Sequence, residues 1–374
     1  MARTGPSAAD RWLISLLAAR DLSVSAAQLE RWRSAGLLPR NSRHGCGRGR
    51  GSLSEASPEA VEIAATLSRH TRQGRDLRLA IIDWFADADR TTPGEPAIPE
   101  PPFAALQSAL SWIIASSTGH RLLQLARAVS TQQEEDDFYR AADRDLRSVT
   151  MAPAFDVTAV REALSSGQDA PADAFRSGPK VRSAMTELIA ATGMGYEPDT
   201  AEFFAENAVQ SGMFTSFSAA AWQQLITRLE NPPPDIAGLV EMLITRYDPL
   251  QMLSRANAQL LRQARTTAWV LALTGLMFFS HAMLMPDMQG QRELRATATE
   301  LGIQQIAMAM TFSIHTTGGF AHAVVNCLHP FYDAIAKVLS NQIASQPLIA
   351  DNPEAAQKHM ADWFTAMKDA TQRS

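Results

Sequence analysis

Arginines and glycines are concentrated between residues 43 and 51, a few residues after a short segment that favours a helix. Arg43, Arg48 and Arg50 stand among the glycines at 45, 47, 49 and 51. Guanidinium groups bind phosphate oxygens well, and glycines let a loop approach a phosphate backbone without side chains in the way. This pattern predicts electrostatic contact with a polyanion, and we expect double-stranded DNA as the partner.

The charge along the chain is distributed unevenly. Residues 1–78 contain 13 arginines, no lysine and seven acids, a net charge of +6. Because the whole chain carries -5, the remaining residues carry -11. Phosphate binding depends on the local field, so a basic head on an acidic body is compatible with DNA binding despite the negative total. A solvated arginine surface is the alternative interpretation.

The segment before the loop carries the start and stop signals of a short helix. Ser23 or Ser25 can cap its N-terminus, and the helix is expected to run to about Ala35. Gly36 suits the left-handed residue that ends a helix, and Pro39 prevents continuation.

The spacing of side chains gives this helix two faces. Leu29 and Trp32 are expected to face inward, which leaves Ala27, Gln28, Arg31 and Ser34 outward or flanking. In a major groove, Gln28 is expected to bond adenine and Arg31 to bond guanine. The arginines expected to contact phosphates are Arg33, Arg43, Arg48 and Arg50.

The segment from Val24 to Pro39 resembles the recognition helix of MerR-type regulators. The Val-Ser start, Leu29, Trp32 and the Gly-Leu-Leu-Pro ending match in register, and the resemblance covers about residues 10–87. It implies a winged helix-turn-helix that binds DNA. Ala27, Glu30 and Arg31 depart from the residues usual in that family, and the wing is longer, so the operator sequence and the family's promoter untwisting do not carry over.

Five prolines between residues 90 and 102 predict a stiff, extended linker. They separate an expected head, 1–89, from an expected body, 103–374. The body shows helical periodicity, so we expect an all-α protein in which sheet is confined at most to the wing. The predicted helical segments of the body lie near 103–130, 132–147, 156–166, 179–193, 198–211, 217–230, 235–246, 248–285, 287–315, 320–343 and 353–370.

The apolar segments of the body are rich in methionine and aromatic residues, which line adaptable pockets as well as ordinary cores. We expect these segments to mediate dimerisation. They form either an ordinary hydrophobic core or a pocket for an apolar effector. Its candidate residues are Trp269, Met277, Phe278, His281, Met308, Phe312 and His315.

Two further patterns in the body have simple interpretations. The segment from Ala268 to Met285 has about the minimum spanning length but contains polar residues, so we expect a buried or interface helix and not a membrane span. His315, His322 and His329 recur every seven residues, a rise of about 10.5 Å on a helix, which is too far for a shared metal ion. We expect no metal or other cofactor.

The sequence shows no catalytic signature and no signal peptide, and Cys46 and Cys327 are too few for a disulfide framework. We therefore expect a non-enzymatic, cytoplasmic, nucleoid-associated homodimer that regulates transcription. The alternatives are a DNA-organising or phage structural protein that uses its head as a tether, and a protein that sequesters an apolar ligand.

Overall fold

The computed structural model describes residues 6–45, 52–71, 75–88, 97–148, 154–155, 175–176, 179–195, 248–284, 310, 314, 316–330, 332–333 and 336–337. Helices hold 73% of the described residues, which confirms the all-α class. The chain divides into two compact units, residues 1–112 and 113–374.

The first unit is built from short helices and one hairpin. Its elements are α1 (Ala8–Ala18), α2 (Ala26–Ser34), β1 (Ser42–Gly45), β2 (Ser52–Glu55), α3 (Pro58–His70), α4 (Leu77–Asp87) and most of α5 (Phe103–Ala115).

The core of the first unit is formed by the apolar faces of its helices. Leu13 and Leu17 of α1 and Leu29 of α2 are fully buried. Burying a side chain of this kind contributes about 1.5–3 kcal/mol, so a few such residues hold together a unit of short helices. The other fully buried large side chains of this unit are Trp32, Leu37, Leu67, Ile82, Trp84 and Phe85.

Local signals set the helix limits in the first unit. Ser25, not Ser23, caps α2, and Ser57 caps α3 with Pro58 in its first turn. Gly36 has φ 71°, the left-handed conformation predicted for the residue that ends α2. The chain then enters the antiparallel pair β1–β2, in which Ser42 lies opposite Glu55 and Gly45 lies opposite Ser52.

The second unit contains the end of α5 and longer helices. Its further elements are α6 (Thr118–Ala128), α7 (Gln132–Leu146), β3 (Ala154–Phe155), β4 (Phe175–Arg176), α8 (Pro179–Met194), α9 (Pro249–Arg255), α10 (Ala258–Leu284) and α11 (Thr317–Asn326). The predicted segments 156–166, 198–211, 217–230, 235–246 and 353–370 lie outside the described residues. So do residues 287–309 of the predicted segment 287–315 and residues 338–343 of the predicted segment 320–343.

Helices α6, α7 and α8 share a core of six buried residues, Leu122, Ala126, Phe138, Ala142, Leu146 and Ala190. Gly193 permits the close approach of α8 to α6, because a Cβ atom there would overlap the Cβ atom of Ala126. The helix predicted near 179–193 continues one residue past Gly193, to Met194. Gly195, with φ 116°, follows the helix.

Short polar residues divide segments that the apolar pattern joined. The predicted helix at 103–130 is two helices, because Ser117 accepts a hydrogen bond from the backbone N–H of His120 and starts α6. Asn257 starts α10 in the same way through the N–H of Leu260. Side-chain acceptors of this kind compete with helix continuation, and apolar periodicity does not register them.

Two other predictions need correction. The pair β3–β4 places strand outside the predicted wing, although it comprises only two residues on each side. Helix α11 begins at Thr317, before the predicted start at residue 320, so the glycines at 318 and 319 lie in its first turn, where Thr316 accepts a hydrogen bond from the N–H of Gly319.

The first unit extends beyond the predicted linker at 90–102, to Trp112. The indole Nε1 of Trp84 donates a hydrogen bond of 2.6 Å to the carbonyl oxygen of Pro99. The guanidinium of Arg78 lies 3.7 Å from the ring centroid of Trp112. These contacts attach the end of the proline-rich segment, and α5 at Trp112, to the head.

Within the part of the chain that the structure describes, no helix is long and apolar enough to cross a membrane.

Candidate nucleic-acid interface

The N-terminus of α2 is fixed by a reciprocal capping box between Ser25 and Gln28. The Ser25 hydroxyl accepts a hydrogen bond of 3.2 Å from the N–H of Gln28, and the Gln28 Oε1 accepts one of 2.8 Å from the N–H of Ser25. The same Oε1 also accepts from the Ser25 hydroxyl at 3.0 Å. Such a box satisfies donors that a helix start leaves open and holds α2 rigidly at its first residue.

The capping box changes the expectation for Gln28. Bidentate recognition of adenine uses both the oxygen and the nitrogen of a glutamine amide. Because the oxygen of Gln28 is engaged in the cap, only its Nε2 group is left to meet a base. Sequence reasoning missed this role, although Ser followed three residues later by Gln is a recognised capping signal.

The two faces of α2 agree with the faces predicted. Leu29 and Trp32 are 0% and 2% exposed, and the carbonyl of Trp32 accepts hydrogen bonds from the N–H groups of Leu37 and Leu38. The exposed residues of this helix are Ala27, Gln28, Glu30, Arg31 and Ser34. The buried pair anchors the helix so that the opposite face, with Arg31, points to solvent.

Arg33 is largely buried and paired, whereas a phosphate contact requires an exposed and unpaired guanidinium. Its side chain is 9% exposed, and its guanidinium donates to Asp10 at 2.6 Å and to Asn41 at 3.1 Å. Asp10 also accepts from the Ser7 hydroxyl at 2.7 Å. This network joins α1, the end of α2 and the start of the hairpin, so Arg33 holds the head together and is withdrawn from the phosphate-binding set.

The carboxyl group of Asp10 titrates in a shifted range. Burial alone would raise its pKa, but the hydrogen bonds from Ser7, Arg33 and Asn41 and the charge of Arg33 outweigh burial and hold the pKa below its usual value. Asp10 is therefore the charged partner that the buried Arg33 needs.

Two of the exposed arginines that make no ion pair with any described residue lie beside the proposed interface: Arg31 on α2 and Arg40 just before β1. Hydrogen bonds from Arg78 lower the pKa of Asp76 to about 2, and the charge of Arg31 acts in the same direction. Arg31 thus lies within the field of the residue that caps α4. Arg40 was missed by sequence reasoning, because no helical periodicity marks a residue between Pro39 and a strand.

The remaining predicted phosphate contacts belong to the hairpin. Arg43 lies in β1, opposite Ser54, and its side chain is outside the described set. Arg48 and Arg50 fall between the strands, outside the described residues.

The predicted effector pocket is described only in part. Trp269 is half-buried and packs against Phe320, with ring centroids 6.0 Å apart. Met277, Phe278 and His281 lie in α10, but their side chains are outside the described set, and Met308, Phe312 and His315 lie outside the described residues altogether. Phe320, a partner that the sequence reading did not include, is buried.

Among the residues that the structure describes, the histidines do not form part of a candidate metal site. No group of three or more His, Cys, Asp or Glu side chains there is placed to hold an ion. His322 is half-buried on α11, and burial together with the charge of His120 lowers its pKa.

No protein-family model, curated protein or solved structure matches this chain. The functional argument therefore rests on the residues and geometry above.

Proposed function

We propose that residues 10–87 form a winged helix-turn-helix and that the protein is a sequence-specific DNA-binding regulator of transcription. The observation that carries the proposal is the geometry of α2. It is anchored by Leu29 and Trp32, capped by Ser25, exposed on the face that holds Arg31, and followed by a two-stranded hairpin. A short helix with one free face fits the major groove.

The proposed contacts divide into two kinds. Arg31 contacts a base edge, with guanine as the expected partner, and the small Ala27 allows the helix to approach the groove closely. Arg40, Arg43, Arg48 and Arg50 contact phosphates and set the position of the head on the duplex. Gln28 and Arg33 support the interface from within, one through the helix cap and the other through Asp10.

The proposal includes a homodimer in the cytoplasm, associated with the nucleoid. A head with about five basic contacts binds DNA weakly, since each phosphate contact contributes a salt-sensitive gain of limited size. Two heads joined through the helical second unit would bind two half-sites and gain affinity by effective concentration.

The experiment is footprinting of the full chain on genomic fragments, followed by salt titration on a bound site. A discrete, two-fold symmetric footprint is expected, whereas continuous coverage without a preferred site would instead favour a DNA-organising protein.

The salt titration should include Arg48→Ala combined with Arg50→Ala. Removal of two phosphate contacts should weaken binding to every duplex and reduce the slope of log K against log salt by roughly 1.8. An unchanged slope would contradict the assignment of the loop to DNA. Arg11→Ala is the control, because it removes an exposed arginine of α1 that donates to the Pro6 carbonyl and has no assigned role in the interface.

A further inference from the structure

We propose that a cleft in the first unit, formed by Arg20 just after α1, by α3 and by the segment 97–99, binds a small organic carboxylate. The cleft has a volume of about 420 Å³, within the range usual for small-molecule sites. It is lined by Arg20, Glu62, Arg69, Ala97, Ile98 and Pro99. The inference goes beyond DNA binding and does not depend on it.

One guanidinium of the cleft is already paired with a carboxylate. Arg20 donates two hydrogen bonds to the carboxylate of Glu62, at 3.0 and 2.8 Å, so this pair neutralises itself. The fork-to-fork geometry is the one in which arginine recognises a carboxylate. The cleft therefore already contains one arginine–carboxylate pair, and a second arginine in it could form the same pair with a ligand.

That second donor is Arg69, which makes no hydrogen bond or ion pair with any residue that the structure describes. It is exposed on the last turn of α3 and lines the same cleft. With the Arg20–Glu62 pair neutral, Arg69 leaves the cleft with a net charge of +1. A monoanion that presents two oxygens in one plane would match this group.

Part of the cleft lining is apolar and attached to the core. It consists of Ala97, Ile98 and Pro99, and the carbonyl of Pro99 accepts a hydrogen bond of 2.6 Å from the indole N–H of Trp84. Because Trp84 is fully buried, this part of the lining is attached to the core of the unit. A cleft that combines apolar residues with one unpaired guanidinium favours a ligand with an aromatic or aliphatic body and one carboxylate, over a bare inorganic anion.

The test is calorimetric titration of the full chain with benzoate and octanoate at low ionic strength. Benzyl alcohol serves as the uncharged comparison and inorganic phosphate as the anion without an apolar body. Saturable binding of at least one carboxylate is expected, with binding of benzyl alcohol and phosphate at least tenfold weaker.

Two substitutions act in opposite directions. Arg69→Gln should weaken carboxylate binding roughly tenfold, since it removes the charge-assisted pair. Glu62→Gln should strengthen binding several-fold, because it removes a negative charge and releases the Arg20 guanidinium into the cleft. Arg11→Gln is the matched control and should leave binding unchanged, because Arg11 does not line the cleft.

Three results would overturn the proposal. They are the absence of saturable binding by both carboxylates, equal affinity for phosphate, and weaker binding by Glu62→Gln in a protein whose circular dichroism is unaltered. The DNA affinity of each variant should be measured in parallel. A failure of the carboxylate site can then be distinguished from a failure of the proposed DNA-binding function.

Discussion

Arg31 and Arg33 are separated by one residue, yet α2 places them in opposite environments. Arg31 is exposed and has no ion-pair partner among the described residues, whereas the Arg33 side chain is 9% exposed and pairs with Asp10. Trp32, buried between them, sets the orientation of the helix. A count of arginines therefore overstates the number of cations that this helix can offer to a polyanion.

Arg31→Ala is expected to alter sequence preference more than overall affinity. Loss of a bidentate contact to guanine should reduce discrimination at one base pair of each half-site by about 1–3 kcal/mol. Binding to a panel of single-base operator variants measures this. If affinity fell equally for every sequence in the panel, Arg31 would be a phosphate contact and not a base contact.

Asp10→Asn is expected to destabilise the first unit at neutral pH by about 2 kcal/mol, because Arg33 would lose its charged partner. The folded-state pKa of Asp10 is lowered, so its contribution is complete above the ordinary carboxyl pKa near 3.8 and is lost as pH falls through the lowered value. The difference between wild type and variant should therefore shrink in acid.

Urea unfolding at pH 7 and at pH 3 measures this difference in the free energy of unfolding. Glu30→Ala is the control, since Glu30 is exposed and has no ion pair with a described residue. A destabilisation by Asp10→Asn that was equal at both pH values would argue that the loss is steric and not electrostatic.

At the scale of elements, the packing of α6 against α8 depends on one glycine. Gly193 has no room for a side chain next to Ala126, whereas Gly119 in the first turn of α6 has no heavy atom within 4 Å of an added Cβ. Both glycines lie inside helices. Replacement by alanine therefore tests the effect of an added methyl group in a close contact at Gly193 and in open space at Gly119.

Gly193→Ala is expected to reduce the free energy of unfolding by about 1–3 kcal/mol, because α6 and α8 must separate or shift to admit a methyl group. Gly119→Ala should stabilise by roughly 0.5 kcal/mol, since alanine favours the helix more than glycine does. Thermal unfolding of the two variants side by side tests the contrast, and a stabilising Gly193→Ala would mean that the two helices are not in close contact.

At the scale of the whole molecule, the division between units falls inside one continuous helix. The first unit ends at Trp112 and the second begins at Ile113, both in α5. In the proposed dimer, the second units join two heads, and each head binds one half-site.

If two heads of one dimer bind two half-sites, the half-sites must lie on the same face of the duplex, so their spacing should be strict. Insertion of five base pairs between the half-sites of a bound operator turns one half-site by about half a helical turn and should abolish joint occupancy, while insertion of ten should restore much of it. Gel-shift titration with the three spacings measures this. Equal binding to all three would contradict the proposed dimer on two half-sites.

Most of the local structure of the first unit could be predicted from sequence because short-range chemistry determines it. Ser57 with Pro58 starts α3, Gly36 ends α2, and Leu29 and Trp32 define its buried face. Each of these depends on residues a few positions away, so the sequence contains both partners of the interaction. The all-α class follows from the same periodicity.

The tertiary structure decided which of the predicted residues are free to act. Arg33 is withdrawn by Asp10, 23 residues earlier, and Pro99 is held by Trp84, 15 residues earlier. The cleft with Arg20 and Glu62 joins residues 42 positions apart. Sequence periodicity places a side chain on a face of its own helix, but it does not identify the side chain on another helix that will neutralise it. That choice depends on how the helices pack.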